Sequence, residues 1–410
     1  MAKKKRTIQE QSIDPAAQQM LIRAEELGIS TAFTRADDLA PCNIGSAGMC
    51  CKICSMGPCR LTKDGQTGIC GATIDTIQAR NLIRAISGGA AAHSDHGRGM
   101  ALTLKATANG EAEGYIIRDV AKLRTLASCY DIPIEGRSPE EIADELADLY
   151  IAQFGQQTGV IAPIRRAPEK RKKLWAEQGV LPRGIDREIV EALHRTHIGD
   201  DQDAEHIMQH AIRAALGDGW GGSLIATDIS DILFGTPAPI LGEANLGVLK
   251  DDMVNVVVHG HEPTLSEMIV AASQTPEIIE YAKAAGAKGV QLSGICCTAN
   301  EILMRQGIPA AGNFLQQELS IMTGAVEAMV VDVQCIMQAL VSLAENFHTN
   351  IITTSEKVKL KGATHIEFDE HKAMTIAKRI LKEAIDNYKN RGETQIPDSR
   401  TDLVPGFSHE

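Results

Sequence analysis

Residues 42 to 70, CNIGSAGMCCKICSMGPCRLTKDGQTGIC, hold six of the ten cysteines in this 410-residue chain. Cys51, Cys54, Cys59 and Cys70 follow the spacing C-x2-C-x4-C-x10-C. One tight loop thus provides three thiolates and a returning segment the fourth, which makes a four-thiolate cage. Tetrahedral zinc and a [4Fe-4S] cube both fit such a cage. The glycines of the loop bring backbone N–H groups toward sulfur, as an anionic cluster prefers, and only one C-x-x-C pair is present where zinc knuckles usually use two. These features favour iron and sulfur. A disulfide framework fits poorly, because a chain of this length buries a core without staples and Cys50 and Cys51 are adjacent.

Cys42 and Cys50 cannot complete a four-cysteine cluster alone. Either both are spare buried thiols, or Cys42 and Cys50 of two copies meet on a two-fold axis and close one shared cluster.

Three more soft-ligand positions follow the ends of expected β-strands: His261 in HGHEP, Cys296 with Cys297 in SGICCTANE, and Cys335 in DVQCIM. Ligands of open α/β sheets bind at that rim. A lone histidine or cysteine after a strand is usually structural, but three such positions converging on one crevice read as a site. His259 lies within a strand and reads as core, and Cys129, isolated in a helical stretch, reads as a buried thiol.

The elements that must position these residues fall into two halves. Residues 75 to 235 carry a helical pattern, as in PEEIADELADLYIAQF with Ile142, Leu146 and Leu149 on one face. Gly217, Gly219, Gly221 and Gly222 around Trp220 follow a helix rather than a strand, so they read as a linker and not a nucleotide loop. Past residue 238, short β-branched strands (255–260, 289–294, 328–333, 350–355 and 363–368) alternate with helices. That is the pattern of a doubly wound parallel sheet. The expected fold is α + α/β: an N-terminal all-α domain carrying Fe–S clusters (1–237), then a Rossmann-like parallel α/β domain (238–398). No G-x-G-x-x-G opens the first helix of that domain, so the pattern gives no support to nucleotide binding.

Composition sets outer limits. With 44% hydrophobic and 23% charged residues the chain is an ordinary globular protein, and a net charge of −12 argues against a nucleic-acid partner. The N-terminus lacks the apolar core of a secretory signal and its basic run, Lys3 to Arg6, reads as a solvated tail. Ten cysteines without such a signal point to reduced thiols, committed to metal in the cytoplasm.

The combination of the Cys42/Cys50 pair, the four-cysteine loop, AAHSDHGRG, HGHEP, GICCTANE and VQCIM resembles the catalytic subunit of the nickel-containing anaerobic carbon monoxide dehydrogenases. The likeness runs over nearly the whole chain. It implies reversible oxidation of carbon monoxide with water to carbon dioxide, two protons and two electrons. Cys51, Cys54, Cys59 and Cys70 would hold a [4Fe-4S] relay cluster. Cys42 and Cys50 would hold half of an inter-subunit cluster, [4Fe-4S] or [2Fe-2S], in a homodimer. His261, Cys297 and Cys335, with Cys296 beside them, would ligate a Ni–Fe–S cluster. His93 would accept protons, with His96 along their exit, and a ferredoxin-like partner would take the electrons. The histidine series is shorter than the family's, with Gly99 and Thr103 at the next positions. The segment RTDLVPGFSHE resembles the lead-in to a further α/β domain, absent here, so residues 399–410 are expected to begin that domain. It would normally bring the remaining nickel-site ligands, so this chain alone is expected to assemble the relay clusters but not a stable nickel site. Two rivals share parts of the pattern: a hybrid-cluster or hydroxylamine-reductase-like enzyme, and a non-catalytic Fe–S electron-transfer protein.

Overall fold

The computed structural model of the chain describes residues 5–39, 41–198 and 200–408. It divides into two compact units, one of Pro41–Glu111 with Ile116–Leu233, the other of Met1–Ala40, Ala112–Tyr115 and Phe234–Glu410.

The first unit is helical around one 35-residue helix, Ile74–Ala108. Its start is fixed by Thr73, whose hydroxyl accepts the Thr76 N–H at 3.3 Å. Helices Pro139–Gly155, Ile185–Arg195 and Ala204–Gly217 pack along it, burying Ile142, Leu146, Ala192, Ile207 and Ala211. Two short antiparallel strands, β1 (Cys50–Cys51) and β2 (Cys59–Arg60), pair Cys51 with Cys59. Leu61, Ala72 and Ile77 form the small core beneath them.

The glycines around Trp220 do not form a linker. Gly217 ends helix Ala204–Gly217, and Gly219, Gly221 and Gly222 lie in a π-helical turn, Asp218–Gly222, that runs directly into helix Ser223–Phe234. The smallness of Gly222 serves contact: a Cβ on Gly97 would lie 2.6 Å from the Gly222 oxygen, and one on Gly222 would lie 2.8 Å from the backbone of His93. Only glycine lets these two backbones touch. Cys129 is exposed at the end of helix Val120–Cys129, not buried, because the apolar face of that helix is set by Leu123 and Leu126.

The second unit is an eight-stranded sheet formed by β3 (Gly242–Ala244), β4 (Val254–Gly260), β5 (Val290–Ile295), β6 (Ala310–Gly312), β7 (Val326–Val331), β8 (Asn350–Thr353), β9 (Thr364–His365) and β10 (Thr401–Leu403). The spatial order is β10-β3-β6-β5-β4-β7-β8-β9, parallel except for β10. The chain winds outward from β4 through β5 and β6, then crosses back to place β7 on the other side of β4. The order in which strands are added therefore reverses between the parallel strands β4 and β7, the point where doubly wound sheets open a crevice. All seven residues of β4 are buried, as expected of a central parallel strand covered on both faces.

The sequence-based division changes at both ends. Residues 5–39 belong to the α/β unit rather than to the helical one. Ala16, Ala17, Met20, Leu21 and Phe33 share a core with Val257, Ile295 and Met329, and Arg23 donates to the Gln395 side chain at 2.8 Å. Residues 401–403, expected to lead into another domain, form the antiparallel edge strand β10. Lys3 and Lys4 of the basic run lie outside the described residues. Arg6 is anchored, its Nε donating to the buried Asp37 at 2.5 Å.

Candidate metal centres

In the helical unit Cys51, Cys54, Cys59 and Cys70 line one cavity. The four thiols ring a space rather than meeting at a point, and among the described residues no three metal-binding side chains close on a single-ion site. That geometry suits a polyatomic cluster better than one zinc ion with sulfurs at about 2.3 Å. Backbone donors already face the sulfurs: the Ile69 N–H points to Cys59 Sγ at 3.5 Å. The Ala72 N–H, together with the Arg80 guanidinium, holds the Cys70 thiol below its ordinary pKa against the opposing effect of burial. Arg80 also lines the cavity, is only 3% exposed, and keeps its Nε without a partner. Four thiols, N–H···S donors and a buried cation fit an anionic Fe–S cluster.

Cys42 and Cys50 flank this loop. Cys42 is exposed and caps the turn Asn43–Ser46, its sulfur accepting the Gly45 N–H at 3.4 Å. That bond, then the one from Ile44, lowers its thiol pKa. Cys50 is half-buried on β1, its carbonyl fixed by the Asn81 side chain at 3.1 Å.

In the α/β unit the register explains the second site. His259 on β4 pairs with Ile295 on β5 and with Val331 on β7, so all three strands end at one level. The residues just beyond emerge together: His261, Cys296 with Cys297, and Cys335. Cys335 Sγ lies 3.9 Å from His261 Nε2. Burial, then the charges of Cys335 and Cys297, pushes the Cys296 thiol up to about 12, and burial likewise raises Cys297. Thiols crowded this way stay protonated unless a metal cation joins them, because coordination deprotonates a thiol outright. The donor set, one imidazole and three sulfurs, suits a soft transition-metal centre.

The backbone is strained at the same place. Cys296, Gln334 and Cys335 all have positive φ, near +60°. Non-glycine residues there cost on the order of 1–3 kcal/mol each, so the surroundings must enforce the conformation. Two buried side chains do so. Gln317 donates from Nε2 to the Cys335 carbonyl at 3.0 Å and accepts the Met337 N–H at 2.9 Å. The same amide oxygen faces His259 Nε2 at 3.1 Å, so His259 is a core residue that steadies the loop, as its place on the strand predicts. Asp332 accepts the His261 N–H at 2.6 Å, the Glu262 N–H at 3.0 Å and the Thr298 hydroxyl at 3.1 Å. Burial, then Glu262, raises its carboxyl to about 7 against those donors. Neither residue was foreseen. Asp332 carried one signal, an acid directly after the apolar run Ala328–Val331.

His93 and His96 lie on the long helix of the helical unit. His93 Nδ1 is 2.8 Å from Asp218 Oδ1, and Ser223 Oγ sits 3.0 Å from the ring nitrogen and 3.1 Å from the same carboxylate oxygen. Asp218 is the main cause of a raised His93 pKa. Its bond commits Nδ1–H to the carboxylate and leaves Nε2 as the basic nitrogen. Asp218 opens the π-helical turn, a distortion frequent at functional sites, and sequence patterning cannot place such a turn.

Comparison with known proteins gives a consistent answer. Residues 49–404 match the Prismane/CO dehydrogenase family. The chain is 54% identical over 414 residues to carbon monoxide dehydrogenase 1 of Methanosarcina mazei, covering 100% of this chain and 66% of that protein. It is 47% identical over 410 residues to carbon monoxide dehydrogenase 1 of Carboxydothermus hydrogenoformans, covering 97% and 64%. Among solved structures, the as-isolated nickel-free carbon monoxide dehydrogenase from Thermococcus sp. AM4 superposes with a TM-score of 0.96 at 48% identity, over 100% of this chain and 66% of that one. The chain thus spans slightly less than two thirds of the length of these relatives.

Proposed function

This chain belongs to the Prismane/CO dehydrogenase family, and from that premise we propose that it takes part in the reversible oxidation of carbon monoxide: CO and water give carbon dioxide, two protons and two electrons. The observation that carries the reading is the convergence of His261, Cys296, Cys297 and Cys335 at the switch point of the sheet, on a backbone strained to present them. His261, Cys297 and Cys335 would hold part of a Ni–Fe–S cluster, with Cys296 as a further sulfur. When bound, that group supplies a soft site for carbon monoxide and a Lewis acid for water. Asp332 and Gln317 hold the ligand loops in register. His93 accepts a proton at Nε2 while Asp218 holds Nδ1–H, and His96 stands one turn further along the same helix.

Cys51, Cys54, Cys59 and Cys70 would hold a [4Fe-4S] cluster that carries the electrons. Cys42 and Cys50 would share a second cluster with another copy of the chain, and a ferredoxin-like protein in the cytoplasm would receive the electrons. No helix among the described residues is long and apolar enough to cross a membrane.

The test is anaerobic purification, elemental analysis, and reduction of methyl viologen under carbon monoxide on one sample. Nickel near one per chain together with CO-dependent reduction would support the reading and overturn the expectation that this chain alone builds no stable nickel site. Iron without nickel and without CO-dependent reduction would turn the reading toward an electron-transfer protein, and turnover of hydroxylamine instead would favour the hybrid-cluster rival.

A further inference from the structure

Arg80 presents a problem that the protein alone does not solve. It sits on the long helix, 3% exposed, and is the one residue with a fixed charge among the described residues lining the four-thiol cavity. Its oxygen contacts are neutral, Nη2 reaching the Gln202 side-chain oxygen at 2.9 Å and the Asp201 carbonyl at 3.5 Å, and the guanidinium also bonds the Cys70 thiol on the cavity wall. The Asp201 carboxylate is engaged elsewhere, with Arg195 at 2.8 Å and His206 at 2.8 Å. Arg80 Nε is buried with no partner. A buried guanidinium without a counter-ion is costly, and buried charges in folded proteins are paired or bound to metal centres. No carboxylate pairs with Arg80 in these contacts, so the charge that balances it is the cavity's own, carried by Cys70 and by the group that the four thiols would hold.

We propose that Arg80 is the counter-ion of the cluster held by Cys51, Cys54, Cys59 and Cys70, and sets its reduction potential. The inference rests on the reading of that cavity as a [4Fe-4S] site. A cluster ligated by four thiolates is anionic and gains one more negative charge on reduction. A fixed cation at its wall in a poorly solvated pocket stabilises the reduced form more than the oxidised form, so it raises the potential. Rigidity adds to the effect. Gln202, whose carbonyl also accepts the Thr76 hydroxyl at 2.9 Å, holds the guanidinium against the cavity and prevents it from turning to solvent.

The test is a redox titration of the anaerobically purified protein, followed by the EPR signal of the reduced cluster that Cys59→Ala abolishes. Arg80→Gln is expected to shift the reduction equilibrium at least tenfold toward the oxidised form, a midpoint lower by about 59 mV for a one-electron couple. Arg80→Lys keeps the charge and is expected to recover most of that shift. Gln202→Glu leaves Arg80 in place but pairs it with a carboxylate, and is expected to lower the midpoint by a smaller amount. Equal midpoints in wild type and Arg80→Gln, or equal shifts in Arg80→Gln and Arg80→Lys, would overturn the proposal. If Arg80→Gln fails to retain its cluster, an unchanged midpoint in Gln202→Glu overturns it alone. A wild-type protein that binds iron but shows no such signal instead removes the reading of the cavity on which the inference stands.

Discussion

The carboxylate of Asp332 occupies the space that a side chain on Gly260 would need: a Cβ there would lie 1.6 Å from Oδ1. Gly260 also has φ of +137°, which other residues rarely adopt. The two residues form one device, in which the absent side chain lets the carboxylate reach the N–H groups of His261 and Glu262. Gly260→Ala is expected to cost on the order of 3 kcal/mol through clash and backbone strain. It should also lower the metal content of the α/β site while leaving the cysteine loop of the helical unit loaded. Denaturant midpoints and iron and nickel counts check both. Wild-type stability with wild-type metal content would sink the idea.

Acid sensitivity of the helical unit should trace to Glu188. This carboxylate is fully buried and accepts from the Arg183 backbone N–H at 2.8 Å, from its guanidinium at 2.8 and 3.0 Å, and from His210 at 3.1 Å. Burial works to raise its pKa, but the bonds from His210 and Arg183 together bring it down to about 2 from 4.5. The folded state thus binds this proton more weakly than the unfolded state. The stability contributed is complete above the unfolded value and is lost as pH falls from 4.5 toward 2. Glu188→Gln should lose about 1–3 kcal/mol near neutrality, because Arg183 and His210 lose a buried anionic acceptor while Arg183 keeps its bond to Glu191 at 2.8 Å. Its midpoint should then fall less steeply through the acid window than that of the wild type. Fluorescence of the Trp175–Trp220 pair, 6.0 Å apart in the same unit, reports the transition. Parallel pH profiles for both proteins would exclude the assignment.

Much of this was legible from residue types and spacing, because ligand identity and strand ends are local properties. The four thiols fall in one cavity, and His261, Cys297 and Cys335 follow β4, β5 and β7 as the β-branched runs predict. What stayed hidden depends on contacts between distant segments. Asp332 reads as an ordinary residue after a strand until the reversal of strand order brings β7 beside β4. Gln317 looks like helix surface, yet it is buried under the Cys335 loop. The glycines at 217–222 carry the composition of a linker, and only packing against Gly97 and His93 shows that Gly222 serves close approach. Residues 5–39 group with the helical half in the sequence only because they precede the cysteine loop, whereas their apolar face is completed by Leu246, Val257 and Met322 of the sheet unit.

The pairing of His93 with Asp218 predicts a shift in pH dependence. Asp218 is the chief cause of the raised His93 pKa, and a base acts only when it is neutral. Asp218→Asn removes the charge but keeps an oxygen near Nδ1, so the imidazole should lose its proton at lower pH. The rise of CO oxidation with pH should move in the acid direction, and the maximal rate should fall as the ring loses its orientation. Methyl viologen assays across pH, with the same variant at Ser223 as a control for local packing, measure this. An unmoved acid limb would show that His93 is not the titrating base.

Cys42 separates the shared cluster from the relay cluster most cleanly. The residue is exposed, so Cys42→Ala should change the folding free energy by no more than about 0.5 kcal/mol. The Gly45 and Ile44 N–H groups lower its thiol pKa, which favours the form that binds a metal. Those donors have a purpose only if the thiolate meets a cation, and one thiolate fewer on each copy leaves a shared cluster without half its ligands. Cys42→Ala should therefore lose the iron of the shared cluster alone, keep the EPR signal that depends on Cys59, and dissociate more readily at low concentration. Iron per chain and sedimentation equilibrium decide it. Unchanged iron with an unchanged dimer would return Cys42 to the status of a spare thiol, and the assembly would then rest on protein contacts rather than on a metal bridge.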